Sequence, residues 1–166
     1  MLIPEIDFCR SRHLEALDLL EKHCFPDSPW PFRIMERDLA DVSREALFYL
    51  GAFWKGFLVG YAVFRPRKKE FALLRIGVYR EYRRQKIGAQ LLDAGEVLAE
   101  EIREEHIFLE VRQENRNARE FYERMGYVLQ GISTRNPGDP EKAPLVYRKH
   151  LSKEDSREEA LEENGA

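Results

Sequence analysis

Apolar residues along this chain recur with two periods, and the periods alternate. A short apolar run over residues 2–6 predicts an edge strand, because Pro4 lacks the N–H that a central strand donates. Leu14, Leu17 and Leu20 then return at helical spacing, with Ser11 placed to cap that helix and Phe25-Pro26 placed to end it. Residues 25–32, FPDSPWPF, carry three prolines among three aromatics. Prolines forbid regular structure, so a stiff aromatic loop is predicted, followed by a second short helix over about 33–41. Two β-rich runs, ALFYLGAF and FLVGYAVF, flank Trp54, Lys55 and Gly56 and read as a hairpin. The basic turn RPRKK leads to a third run, EFALLRIGV, and the three runs make an antiparallel meander.

A stripe through Ile87, Leu91, Leu92, Val97, Leu98 and Ile102 predicts a helix over about 87–105, and IFLEV at 107–111 predicts a strand. Strand, helix and strand in that order form a βαβ unit, whose right-handed crossover leaves the two strands parallel. Asn115 stands at the N-cap of a further helix running through Ala118, Phe121 and Tyr122 to a stop at Gly126. Strands at 127–132 and 145–151 close the pattern, separated by the polar loop STRNPGDPEKAP.

Composition narrows the class. The 166 residues are 43% hydrophobic and 34% charged, which fits one globular domain, placed over residues 1–151. The net charge of −3 divides into −4 for residues 152–166 and +1 for the rest, so the acid is mostly in that tail, read as a frayed helix or a disordered extension. No apolar run approaches the roughly eighteen residues of a membrane span, and no secretory pattern opens the chain, so a cytoplasmic protein with no membrane partner is expected. Cys9 and Cys24 lack CxxC spacing and read as buried apolar fillers in a reducing compartment. Basic clusters at 65–69 and 80–86 have no interleaved stacking aromatics, which argues against a nucleic-acid partner. The four histidines show no metal spacing, and no metal is expected. A monomer or homodimer is the expected assembly.

Chemistry concentrates in two stretches. At 78–92, VYREYRRQKIGAQLL, a strand end runs into an arginine-rich turn with Gly88, and a helix follows at once. The first N–H groups of a helix lack intrahelical partners and, with the helix dipole, favour an anion. Arg83, Arg84 and Lys86 add charge there, so the turn is either a phosphate cradle or a helix start with solvated basic residues. The second stretch holds Glu110, which interrupts an apolar strand and by alternation shares a face with Phe108 and Arg112, opposite Ile107, Leu109 and Val111. An unpaired carboxylate in an apolar setting is costly, so Glu110 is either ion-paired with an arginine or functional.

The order β-α-α-β-β-β-α-β-α-β-β, with a basic turn after the fourth strand, resembles the GCN5-related N-acetyltransferase (GNAT) family over about residues 2–151. Arg83-Arg84-Gln85-Lys86-Ile87-Gly88 resembles that family's acyl-CoA motif of Gln or Arg, two residues, Gly, one residue, then Gly or Ala, with Lys86 in place of the first glycine. LEVRQENRNAREFYERMGY at 109–127 resembles the RimI-like branch, protein N-terminal alanine acetyltransferases, as does the FPDSPW loop. The last loop departs from the branch: its tyrosine pair is missing, while Arg135, Asn136, Glu141 and Ala143 remain as partial echoes.

The resemblance implies a GNAT fold, an α/β (α+β) arrangement with a mixed twisted sheet of six to seven strands, about four helices, and splayed parallel fourth and fifth strands. It implies acetyl-CoA, with the pantetheine arm on the backbone of Ile76, Gly77 and Val78, a bulge at the mid-strand glycine, and a strand N–H donating to the tetrahedral oxyanion. The diphosphate would lie on Arg83, Arg84, Lys86, Ile87, Gly88 and Ala89, with Asn115 and Ala118 along the arm. Glu110 would be a general base acting through water, and Tyr122 the acid returning a proton to the thiolate; as a residue alone, Tyr122 also reads as core. Phe25, Pro26, Trp30 and Arg135 would line the acceptor site, although a stiff aromatic loop also reads as core packing. The implied acceptor is a protein N-terminus. An α-amine of pKa about 7.7–8.0 is about one-tenth neutral at pH 7, against about one in 2,500 for a lysine near 10.4, so a modest base suffices. A small amine, amino acid or antibiotic is the alternative acceptor, and a non-catalytic acyl-CoA-binding module is the alternative class.

Overall fold

The computed structural model describes residues 1–135 and 138–151; the acidic tail, with Asn136 and Pro137, lies outside the described residues. In chain order the elements are β1 (Glu5–Phe8), α1 (Leu14–Cys24), α2 (Phe32–Ala40), β2 (Phe48–Trp54), β3 (Phe57–Arg65), β4 (Ala72–Val78), α3 (Ile87–Glu101), β5 (His106–Val111), α4 (Arg116–Arg124), β6 (Val128–Ile132) and β7 (Leu145–His150). They build the expected mixed sheet, seven strands in the order β1-β2-β3-β4-β5-β7-β6. β4 and β5 are parallel, and every other neighbouring pair is antiparallel. The last strand inserts between β5 and β6, leaving β6 at the edge.

Local chemistry accounts for the joints. Lys55 (φ 50°) and Gly56 (φ 82°) both adopt the left-handed conformation that a two-residue hairpin turn requires, so β2 and β3 pair directly. β3 alternates faces: Ala62 and Phe64 enter the core with Leu91 and Leu92 of α3, while Tyr61 and Val63 enter the core with Leu17 and Leu20 of α1. On β5, Ile107, Leu109 and Val111 join the α3 side. Phe108 and Glu110 therefore point to the opposite face, as their alternation predicts.

Four boundaries move from their expected places. The first strand is Glu5–Phe8 rather than 2–6, beginning after Pro4. A short 3-10 turn over Ser11–His13 precedes α1, and the cap belongs to Arg10, whose N–H donates to His13 Nδ1 (2.9 Å); the Ser11 hydroxyl caps nothing. The second helix runs Phe32–Ala40, one residue earlier than expected. α3 stops at Glu101 rather than near 105, because Arg103 turns left-handed (φ 64°) and the N–H of Glu104 folds back to the carbonyl of Ala99 (2.8 Å).

α3 sits close to the sheet at Gly95, where an added methyl would fall inside the ring of Phe64. That ring is itself stacked on Phe71 with centroids 5.6 Å apart, so it has no room to withdraw. Gly95→Ala is accordingly expected to destabilise the fold by about 1–3 kcal/mol. The expected result is a lower urea midpoint at unchanged slope; a midpoint equal to that of the parent would show that α3 shifts at no cost.

Candidate active site

The site begins where the sheet opens. β4 and β5 pair only at Ala72↔Phe108 and Leu73↔Leu109, next to a hydrogen bond from Phe108 N to Phe71 O (2.9 Å). The register between β3 and β4 then jumps from Phe64↔Leu73 to Val63↔Arg75, which makes Leu74 a bulged residue. From there to Val78 the β5 side of β4 has no strand partner among the described residues. The bulge is thus at Leu74 rather than at Gly77. Gly77 answers to a different constraint: a Cβ there would lie 3.0 Å from Cys24 Sγ and 3.1 Å from Tyr61, so its lack of a side chain lets α1 and β3 close on β4.

Beyond Val78 the chain makes a short 3-10 turn, and Lys86 enters α3 as its N-cap with φ 60°. Arg84 is left-handed too (φ 61°). The place where the resembled motif carries glycine therefore has the backbone that glycine favours, and a lysine adopts it. The first helical bond of α3 runs from Gln90 N to Lys86 O (3.1 Å), so the N–H groups of Ile87, Gly88 and Ala89 have no backbone partner among the described residues. Arg83 folds back, its Nε donating to Val78 O (3.0 Å), and braces the turn against the strand end. Asn115 caps α4 as expected, its Oδ1 accepting from Ala118 N (3.2 Å).

Two cavities meet in the opening. One, of about 390 Å³, is lined by Phe25, Pro26, Ile76, Asn115, Ala118 and Tyr122 among others. The other, of about 470 Å³, lies beyond it against Arg65, Lys69, Glu70, Ser133 and Arg135. Leu73, Leu74, Leu109 and Glu110 line both. Glu110 is exposed there and accepts a hydrogen bond from Ser133 Oγ (2.8 Å); among the described residues it forms no ion pair. Tyr122 is buried, packed against Phe121 and Tyr127 with centroids 5.2 and 6.0 Å away. Burial raises its hydroxyl well above the ordinary tyrosine range, so it stays protonated as a donor.

The aromatic loop splits in its roles. Phe25 and Pro26 reach the cavity, whereas Trp30 lines neither cavity and packs edge-on against Tyr49 (6.5 Å). What holds the loop is an arrangement the sequence reading missed. Glu21 of α1 is fully buried and accepts from Tyr61 OH, from Arg75 Nε (2.9 Å) and Nη2, and from Trp30 N (2.8 Å). Arg75 also donates to Ser28 O (2.8 Å), with its guanidinium 3.6 Å from the Phe25 ring centroid. A signal existed: Glu21 falls at the next helical position of the stripe Leu14, Leu17, where an apolar residue belongs. Ser133 gave no comparable signal, since its pairing with Glu110 depends on β6 and β7. Cys24, expected as a buried filler, is half-buried at the cavity wall, its Sγ donating to Val78 O (3.5 Å); both thiols are free.

These features fit an acyl-CoA. Unpartnered N–H groups at the start of α3, beside Arg84 and Lys86, suit a diphosphate. An unpaired strand edge suits an arm carrying amides, and the smaller cavity is lined by Glu110 and Tyr122. The sequence agrees: the profile of the Acetyltransferase (GNAT) family matches residues 14–127, and the chain belongs to that family, whose members are acyltransferases using acetyl-CoA. No curated protein sequence matches the chain. Among solved structures it resembles the ribosomal-protein-S18-alanine N-acetyltransferase from Escherichia coli (22% identity, 90% of this chain and 95% of that one, TM-score 0.73). It likewise resembles the PaiA N-acetyltransferase from Thermoplasma acidophilum in complex with coenzyme A (17%, 90% and 99%, 0.77). A third likeness is to an aminoglycoside 6'-N-acetyltransferase complexed with coenzyme A (18%, 89% and 97%, 0.75).

The left-handed Lys86 yields a prediction. Lys86→Gly and Lys86→Ala both delete the ammonium, but glycine alone relieves the backbone. The glycine variant is expected to be more stable than the alanine variant by about 1 kcal/mol, the relief of about 1–2 less glycine's greater unfolded entropy. Urea melts of the pair measure the difference, and equal midpoints would show that the turn relaxes.

Proposed function

We propose that this acetyltransferase modifies the N-terminal α-amine of a protein by direct transfer, in the manner of the RimI-like branch. The observation that carries the reading is the position of Glu110: an exposed carboxylate shared by two cavities, one lined by the free edge of β4 with Asn115, Ala118 and Tyr122, the other by Arg65, Glu70, Ser133 and Arg135. Glu110 takes the proton from the attacking amine, through water, and Ser133 Oγ fixes which carboxylate oxygen is free to do so. Bound acetyl-CoA supplies the activated acyl group. Tyr122 presents its O–H to the departing sulfur. An ordinary phenol already lies about 1.5 pH units above a thiol, and burial widens that gap, so Tyr122 acts chiefly by donating a hydrogen bond as charge builds on sulfur. Ile87, Gly88 and Ala89, with Arg84 and Lys86, seat the diphosphate; Ile76, Gly77, Val78, Asn115 and Ala118 border the arm, with Phe25 and Pro26 on the wall of the same cavity; and Arg135 borders the acceptor. The working unit is the domain of residues 1–151, with no nucleic-acid or membrane partner; no helix among the described residues is long and apolar enough to cross a membrane.

A small amine is the second reading. The charged lining of the larger cavity, Arg65, Lys69, Glu70 and Arg135, and the tyrosine pair missing from the last loop favour it. An acceptor screen with acetyl-CoA, setting Ala- and Ser-initiated peptides against polyamines and amino acids, separates the two; turnover confined to small amines would remove the peptide reading.

Glu110→Gln is expected to lower kcat/KM by about 10²-fold at pH 6.5, where the amine is protonated, with the defect narrowing above pH 8 as the free amine becomes abundant. A pH-rate profile parallel to that of the parent would exclude Glu110 as the base. Tyr122→Phe is expected to lower kcat by about 10²-fold with KM for the acceptor little changed. Full activity in that variant would assign the donor role to water.

A further inference from the structure

On the far side of Glu110 from Tyr122, the larger cavity ends against Arg65, the last residue of β3. The Nε of Arg65 is enclosed and has no hydrogen-bond partner among the described residues. An enclosed cationic donor left unpaired is costly, and such groups are rare without a ligand to complete them. Its electrostatic setting sharpens the point. Burial, with Arg67 and Arg135 nearby, disfavours the charged guanidinium, while Glu70 and Glu110 favour it. Both of those carboxylates have other partners: Glu70 accepts from Arg135 Nη2 (3.4 Å), and Glu110 accepts from Ser133 Oγ (2.8 Å). Lys69 adds a further cation to the same wall.

Strand register sets the span. Arg65 follows Tyr61 and Val63 in alternation and so shares the face on which Glu110 points. It pairs with Ala72, which pairs with Phe108, and Glu110 lies two residues beyond. Two strand spacings and two residues of rise put the Cα atoms of Arg65 and Glu110 about 12 Å apart. The cavity is therefore lined by a carboxylate, where a proton is to be taken, and, about 12 Å away along the sheet, by a guanidinium whose Nε has no partner among the described residues.

The geometry points to a carboxylate subsite for the acceptor: Arg65, with Arg135 beside it, receives an acidic group that trails the reacting amine. A guanidinium presents parallel N–H donors matched to a carboxylate, and a small turn of the Arg65 side chain on meeting the acceptor's acid would bring its unpaired Nε into that pairing. The inference rests on the reading that the amine reacts at Glu110. The carboxylate has two possible sources, an acidic side chain close behind a peptide N-terminus or the free carboxylate of an amino acid or dipeptide.

Steady-state kinetics with acetyl-CoA on the full chain test it. C-terminally amidated peptides beginning Ala-Asp and Ala-Glu are compared with their Ala-Asn and Ala-Gln counterparts, and amino acids and dipeptides with their amides. The expected acid-to-amide ratio of kcat/KM is about 10 to 100, carried by KM. In Arg65→Gln that ratio falls toward one, and Arg65→Lys retains part of it. Calorimetric coenzyme binding reports whether each variant is folded; if Arg65→Gln is not, the parent's ratio and Arg65→Lys decide. A parent ratio near one in every series, or a ratio unmoved by Arg65→Gln, overturns the subsite. Peptide turnover without acidic preference removes the subsite and leaves the peptide reading standing. An Arg65-dependent preference confined to amino acids and dipeptides supports the subsite and removes the peptide reading instead.

Discussion

The buried carboxylate of Glu21 is the constraint on which the opening side of this molecule depends. Taking a carboxylate out of water costs several kcal/mol, and the cost is met only when its acceptor positions are filled by well-placed donors. Here the donors come from three different elements: the Tyr61 hydroxyl on β3, the Arg75 guanidinium on β4, and the Trp30 N–H in the loop after α1. Helix, sheet and loop cannot move independently without stranding a charge. The loop carrying Phe25 and Pro26 is therefore fixed against the cavity by the fold itself, and the cavity wall is in place before any substrate enters.

A second constraint works on the other wall. β4 is held on one side by β3 along its length, yet on the other side it follows β5 only through Leu73 before the bulge at Leu74 turns it away. β5 stays in the sheet because β7 pairs with its far edge from His106 to Val111. The gap is thus a property of two well-anchored strands, and its backbone groups are aimed without help from flexible segments. Glu110 occupies the one kind of position in such a sheet where a carboxylate can sit in an apolar strand without an ion pair, facing the opening rather than a packed layer.

Much of this was legible from residue pattern, and the illegible part has identifiable causes. The hairpin at Lys55-Gly56, the cap at Asn115 and the side of the strand on which Glu110 projects follow from local rules, and each holds. The parallel pairing of β4 and β5 follows from chirality. The Glu21 cluster did not surface: its place in the apolar stripe marks Glu21 as unusual, but the donors that meet it come from distant parts of the chain that only the fold brings together. At Lys86 the sequence shows only that a lysine stands where the resembled motif has glycine; that it takes the left-handed backbone glycine favours is set by the surrounding structure. Gly77 was credited with a bulge that belongs to Leu74, since a glycine's reason, here close approach of Cys24 and Tyr61, is visible only in three dimensions. Arg65 gave no sign of being unpartnered, because enclosure of a single nitrogen is a tertiary fact.

The insertion of β7 between β5 and β6 has a bearing on how the chain is made. A nascent polypeptide emerging from the ribosome up to residue 144 can pair β1 through β5, but β6 then has no partner, β5 lacks its outer neighbour, and the strand bearing Glu110 presents an open hydrogen-bonding edge. Only when residues 145–150 clear the exit tunnel can they pair with β5 on one side and with residues 128–132 on the other, sealing that edge. Translation arrested short of that point leaves a sticky, incomplete sheet, and the cleft wall acquires its final support among the last of the described residues to be born.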